Sequence, residues 1–162
     1  TDANYAKQTI LTVKGSDFLA DSTLHQEVFG PFSIVVQCRD NEELATVISK
    51  LEGQLTGTIL GEESELSKYE NAVDSLKNRV GRIIFNGVPT GVEVCPSMHH
   101  GGPFPASTDS RFTSVGTSAI KRWVRPVSFQ DWPQQLLPVE LQDDNVLGIS
   151  RLINGKYSDT TI

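Results

Sequence analysis

Cys95, His99 and His100 are the residues of this chain best equipped for chemistry: a thiol that can act as nucleophile or soft metal ligand, and two imidazoles that can move protons or bind a metal. They lie in a stretch from Gly81 to Pro126 that reads as a strand (Arg82-Ile83-Ile84-Phe85), a long loop rich in glycine and proline, and a second hydrophobic segment near Trp123. Long ordered loops in compact domains tend to carry function. The residue types alone narrow that function only by exclusion. Zinc needs four ligands, and one thiol beside two adjacent histidines matches no closed structural site, so no metal is expected. A nucleophilic Cys95 needs a base and an oxyanion donor at fixed geometry, which spacing does not supply, so no catalytic residue is assigned. Gly101-Gly102-Pro103 lacks Gly-x-Gly-x-x-Gly spacing and a following helix. It reads as a turn that lets backbone approach closely, not as a phosphate cradle. Arg111, Lys121, Arg122 and Arg125 read as solvated charges guarding an edge strand. Glu27 and Phe29 could hold a sugar hydroxyl and stack on a flat ring, although a turn acid beside a core phenylalanine is the commoner arrangement.

The elements that must position these residues follow from periodicity. Gln8 to Val13 is β-branched and stops at Gly15, a strand signal, and Ser16 to Leu24 reads as a helical turn or loop. The Gly30-Pro31 pair breaks the chain before Phe32 to Cys38, whose near-continuous apolar run predicts a strand buried on both faces. Asp40 with Glu43 three positions later marks a capping box, and Leu44, Val47, Ile48 and Leu51 repeat at helical spacing up to Gly53. Leu55 to Leu60 predicts a second buried strand, Ser64 to Asn78 a second amphipathic helix with Leu66, Tyr69, Val73 and Leu76 on one stripe, and Val80 to Phe85 a third strand. Alternating strands and helices at this spacing predict βαβ units, hence an α/β fold with a mainly parallel sheet. Parallel sheets bind ligands at their carboxyl ends, which is where the loop from Asn86 departs. Ala119 to Gln130 predicts an extended edge strand, with Pro126 tolerable there. Asp131 to Leu141 and Asn145 to Ile153 predict short helical segments, and Gly155 to Ile162 a frayed end.

The totals set outer bounds. A chain of 162 residues with 38% hydrophobic content is the size of one domain and can bury a core. A net charge of -6 spread along the chain offers no basic face, so nucleic acid is not an expected partner. No apolar run approaches the roughly 20 residues of a membrane span, and the first residues carry no signal-peptide pattern. A cytoplasmic location without membrane contact is expected. Cys38 and Cys95 are too few for a disulfide scaffold and are expected as free thiols.

Two segments together resemble a known family. Glu27-Val28-Phe29-Gly30-Pro31 resembles the Glu-x-Phe-Gly-Pro signature of the aldehyde dehydrogenase superfamily. Phe85-Asn86-Gly87-Val88-Pro89-Thr90-Gly91-Val92-Glu93-Val94, the His100 to Gly116 segment and Ala119 to Gln130 resemble the carboxyl-terminal part of its NADP-dependent branch acting on α-ketoglutaric semialdehyde (2,5-dioxovalerate) and longer aliphatic aldehydes. The resemblance runs from about Gln8 to about Leu141. It implies that the chain is the carboxyl-terminal part of an aldehyde dehydrogenase catalytic domain over residues 1–118, an oligomerisation strand over 119–130, and a tail with short helices over 131–162. It implies a nicotinamide cofactor, NADP with NAD as the alternative, held through Glu27 at the ribose hydroxyls and Phe29 at the nicotinamide ring. It implies a substrate pocket walled by Asn86, Val94, Cys95 and His100, with His100 where many relatives carry an aromatic residue. It implies an aldehyde substrate and a homo-oligomer. The family's nucleophilic cysteine, in its Gly-Gln-x-Cys context, its glutamate base and its cofactor domain have no counterpart here, so the chain is expected to be inert by itself and to be roughly the last third of an enzyme. Two rival readings are a self-associating module that uses the Ala119 to Gln130 edge, and a small metal domain built on Cys95 and the histidines.

Overall fold

The computed structural model describes residues 5–92 and 94–162, in two compact units, Thr1–Val124 and Arg125–Ile162. In the first unit, β1 (Thr9–Lys14) leads directly into α1 (Gly15–Ala20) and a 3-10 turn at Ser22–His25, and then into β2 (Phe32–Gln37). β1 and β2 pair in parallel from Thr9 opposite Phe32 to Lys14 opposite Gln37. α2 (Asn41–Lys50) crosses to β3 (Gln54–Ile59), and α3 (Glu70–Lys77) connects β3 to β4 (Val80–Phe85). β3 and β4 also pair in parallel, from Gln54 opposite Val80 to Ile59 opposite Phe85.

The expected parallel pairing therefore forms, but as two separate two-stranded sheets, not one. In a pair each strand is an edge, and the burial shows the consequence. β2 was expected to be buried on both faces; instead it alternates, with Phe32, Ile34 and Val36 half-buried and Ser33, Val35 and Gln37 exposed. One covered face produces alternation where two covered faces would not. The well-buried apolar side chains are Phe18, Val47, Ala72 and Val80, where α1, α2, α3 and the start of β4 meet.

Local signals mostly act as expected. The Asp40 carboxylate caps α2 by accepting the Glu43 N–H at 2.8 Å. Glu43 does not close the reciprocal half of the box. Its buried carboxylate instead accepts the Arg39 backbone N–H at 2.7 Å and Arg39 Nε at 3.2 Å. A Cβ on Gly15 would lie 2.8 Å from Glu43 Cδ, so a larger residue there would have to displace this carboxylate. The helix expected over Ser64 to Asn78 begins as a 3-10 helix, Glu63–Tyr69, and becomes α-helical only at Glu70. Leu66 and Tyr69 stand three residues apart, a spacing that a three-residue turn also keeps on one face.

The segment expected as one strand from Ala119 to Gln130 is a correction. Ala119–Arg122 forms a 3-10 helix closed by the Trp123 N–H on the Ile120 carbonyl, and residues 124–130 pair with no strand among the described residues. Extended chain with Pro126 in it becomes a strand only against a neighbour that tolerates the missing donor. The boundary between the two units falls inside this segment.

The second unit departs further from expectation. Its first part holds two 3-10 turns, Gln134–Leu136 and Val139–Leu141, each preceded by a proline. The helix expected at Asn145 to Ile153 is absent, and the end expected to fray is a hairpin of β5 (Arg151–Ile153) and β6 (Lys156–Ser158). Asn154 and Gly155, at φ 50° and 80°, make the two-residue turn. The Asn-Gly pair is a strong hairpin signal, but strands of only three residues leave little alternation beside it to read. Buried Asn145 holds the Ile149 and Asp159 carbonyls, and the Ile162 N–H closes on the Asp143 carbonyl, which ties the terminus down.

Candidate functional site

The Gly81 to Pro126 loop starts where expected and ends elsewhere. At the carboxyl end of β4 the chain turns through Asn86, a left-handed residue at φ 49°. Its side-chain amide accepts the Gly61 N–H at 2.9 Å and donates to the Gly61 carbonyl at 2.8 Å. Asn86 therefore latches the ends of β3 and β4 together. It does not line the His100 cavity described below. The loop then doubles back along β4, held by Arg82, whose guanidinium donates to the Gly91 carbonyl at 2.8 Å and the Pro89 carbonyl at 3.0 Å.

His100 and the two glycines after it come to rest at the opposite, amino ends of β3 and β4. A Cβ on Gly81 would lie 1.8 Å from the Gly101 carbonyl oxygen, one on Gly53 2.0 Å from that of Pro103, and one on Gly102 2.3 Å from that of Gln54. The Gly53 N–H donates to the Phe104 carbonyl at 3.2 Å. The turn reading of Gly101-Gly102-Pro103 is thus given its reason: backbone lies directly on backbone. The carboxyl-end rule for parallel sheets fails for this loop, because the loop is long enough to return along the strand it left.

His100 is fixed by its main chain. Its N–H donates to Thr113 Oγ1 at 2.8 Å, and its carbonyl accepts the Ser114 N–H at 2.9 Å and the Ser114 hydroxyl at 3.0 Å. Thr113 is buried and passes its own proton to the Val115 carbonyl at 2.8 Å. His100 lines a cavity of about 540 Å³ together with Ser107, Asp109, Phe112, Ser114 and Arg122. Its Nδ1 is buried without a hydrogen-bond partner among the described residues. Arg111 grips Asp109 through Nε at 2.9 Å and Nη2 at 2.6 Å, and these bonds with the Arg111 backbone N–H hold the carboxyl at about 2, below its ordinary 3.8. Val94 is exposed, and Cys95, half-buried with Sγ 3.4 Å from the Ser97 hydroxyl, stays outside the cavity. Of Asn86, Val94, Cys95 and His100, His100 is the one on the lining of this cavity. Ser107, Thr113, Ser114 and Arg122 carry no sequence signal for a site: single hydroxyls are common, and Arg122 reads as guarding a strand edge, where the structure has a 3-10 turn.

Glu27 and Phe29 sit in the turn before β2, also at an amino end, where the Thr9 N–H donates to the Pro31 carbonyl and the Phe32 N–H to that of Gly30. Both line an open groove of about 790 Å³ with Phe18, His25, Phe32 and Gln54. Phe29 is 97% exposed, so it is not the core phenylalanine that general burial statistics favour. His25 stacks on buried Phe18 at 4.4 Å between centroids and its Nε2 lies 2.8 Å from the Phe18 carbonyl, which anchors the turn from below. Gln54, the first residue of β3, borders this groove, and the next residue, Leu55, borders the His100 cavity.

Cys38 and Cys95 are both free. Partial burial, with the Glu43 and Asp40 carboxylates nearby, pushes the Cys38 thiol up and away from reactivity. Among the described residues no three of His, Cys, Asp and Glu gather as a metal site, and no helix is long and apolar enough to cross a membrane.

No family model matches the chain. Individual proteins do. It is 49% identical over 139 residues to alpha-ketoglutaric semialdehyde dehydrogenase 2 of Azospirillum brasilense, which takes in 86% of this chain and 26% of that protein. It is 53% identical over 132 residues to alpha-ketoglutaric semialdehyde dehydrogenase of Acinetobacter baylyi, covering 82% of this chain and 25% of that protein. The matched residues take in about a quarter of the length of these relatives. Likeness of this degree, over most of the chain and a fraction of each relative, fits a fragment of an alpha-ketoglutaric semialdehyde dehydrogenase.

Proposed function

We propose that the intact protein carrying this chain oxidises an aldehyde, α-ketoglutaric semialdehyde in the first place, to a carboxylic acid with NADP. The observation that carries the reading is the pairing of an exposed carboxylate and an exposed aromatic ring, Glu27 and Phe29, in one open groove. The groove fits the nicotinamide ribose end of such a cofactor: a carboxylate accepts from two hydroxyls, and a ring face packs on a flat heterocycle. The bound cofactor would supply the oxidising capacity, as acceptor of the hydride from the substrate. Glu27 would fix the sugar, Phe29 the plane of the ring, and the Phe18–His25 stack the turn that bears them, so that orientation is set before reaction. The His100 wall would bound the substrate on the other side. The attacking thiol belongs to a part of the protein outside this chain, and the chain alone is inert.

The test compares NADPH formation by the intact protein and by the isolated 162-residue chain with the semialdehyde as substrate. Turnover by the intact protein alone is expected; turnover by the isolated chain would sink the division of labour. A preference for NAD would correct the cofactor.

A second reading concerns association. Val124 and Val127 are 60% and 58% exposed in the 124–130 segment, which pairs with no strand among the described residues. We propose that it becomes a strand against a second copy, giving a cytoplasmic homo-oligomer. Light scattering on the intact protein should return a multiple of the monomer mass, and a monomer would refute this.

A further inference from the structure

We propose that the His100 cavity is the subsite for the anionic end of the substrate and that Arg122 is the residue that recognises it. The inference rests on the aldehyde-oxidising reading and goes beyond it by assigning the carboxylate of the semialdehyde to a named group.

The hydrogen-bond inventory of the cavity singles out Arg122. The Ser107 hydroxyl gives its proton to the Gly102 carbonyl at 2.6 Å, and Ser114 gives its proton to the His100 carbonyl at 3.0 Å. Neither has a donor left for an anion. The Asp109 charge is matched by Arg111, so that pair adds little net charge to the lining. Arg122 enters no ion pair among the described residues and contributes the uncompensated positive charge. The Thr108 hydroxyl is a further donor on the same lining. The Nδ1 of His100 adds a polar atom that has no hydrogen-bond partner among the described residues.

The alternative role for Arg122, guarding a strand edge, loses its basis because Ala119–Arg122 is helical. A guanidinium matches a carboxylate with two parallel N–H donors, and lysine reproduces the charge without the fork. Phe112 and Leu55 provide the apolar flank along which the carbon chain between carboxylate and aldehyde can lie. Arg122 itself is exposed, so solvent weakens the pairing and the effect belongs at the lower end of charge-assisted hydrogen bonds.

The test uses the intact protein with α-ketoglutaric semialdehyde and with pentanal, a neutral aldehyde of the same length. R122A is expected to raise KM for the semialdehyde about tenfold and leave that for pentanal within about threefold, with R122K between R122A and wild type. K121A, in the same turn but outside the cavity lining, should leave both unchanged. Calorimetric titration with glutarate provides a second readout, and R122A should weaken that binding by a similar factor. An equal loss on both aldehydes, or no change for the semialdehyde, would overturn the assignment. Failure of the broader reading looks different: wild-type protein would oxidise neither aldehyde. Arg122-dependent glutarate binding would then still support the subsite, and its absence would overturn that as well.

Discussion

The two candidate regions at the amino ends of the strands are built in opposite ways. The His100 wall is closed: glycine backbones press on one another at Gly53, Gly81 and Gly102, a buried threonine holds the histidine main chain, and hydroxyls are spent on carbonyls. The Glu27 to Phe29 turn is open, with a nearly bare aromatic ring in a groove that also holds a histidine stacked on Phe18. A wall that must keep its shape is determined by main-chain contacts that tolerate no added atom. A ledge that must meet a flat partner can leave its side chains in water until the partner arrives. The difference separates where stability should suffer from where binding should.

The sharpest way to break this contrast is Gly81→Ala in the intact protein. Its Cβ would need the space of the Gly101 carbonyl, 1.8 Å away, and a loss of about 3 kcal/mol in denaturant unfolding is expected. Gly91→Ala, with nothing within 4 Å of the added atom, should stay within about 0.5 kcal/mol. Equal effects would remove the argument from backbone contact. Thr113→Val leaves the buried His100 N–H without its acceptor and should cost about 2 kcal/mol. Asn86→Gly keeps the left-handed turn but releases Gly61, for about 1 kcal/mol.

On the open side, Phe29→Ala should leave stability within about 0.5 kcal/mol while weakening NADP binding about tenfold, read by fluorescence titration without turnover. Weakened folding with intact binding would reverse the comparison. The smallest effect concerns pH. Because Asp109 is depressed from 3.8 to about 2 in the folded chain, its pairing with Arg111 contributes fully above about pH 4 and fades as pH falls toward 2. The wild-type protein should therefore lose a small increment of stability across that window that Asp109→Asn lacks.

Sequence by itself determined the local elements, because their causes are local. Asp40 caps α2 through a hydrogen bond three residues away, β-branched runs form β1, β2 and β4, and the glycines at 101 and 102 declare close approach. It also yielded the family resemblance, since Glu27-x-Phe29-Gly30-Pro31 and the loop after Asn86 are contiguous strings that can be read without the fold. Tertiary structure alone decided which of these residues meet. Strand number is not a local property, so the parallel pairs read as one sheet fold as two. A loop's exit point does not fix its destination: Arg82 and the glycine contacts carry His100 back to the amino ends, while Asn86 stays behind as a latch. The role of Arg122 depended on the same kind of information, for a guanidinium reads alike in sequence whether it guards an edge or lines a cavity, and only the 3-10 turn that carries it shows which.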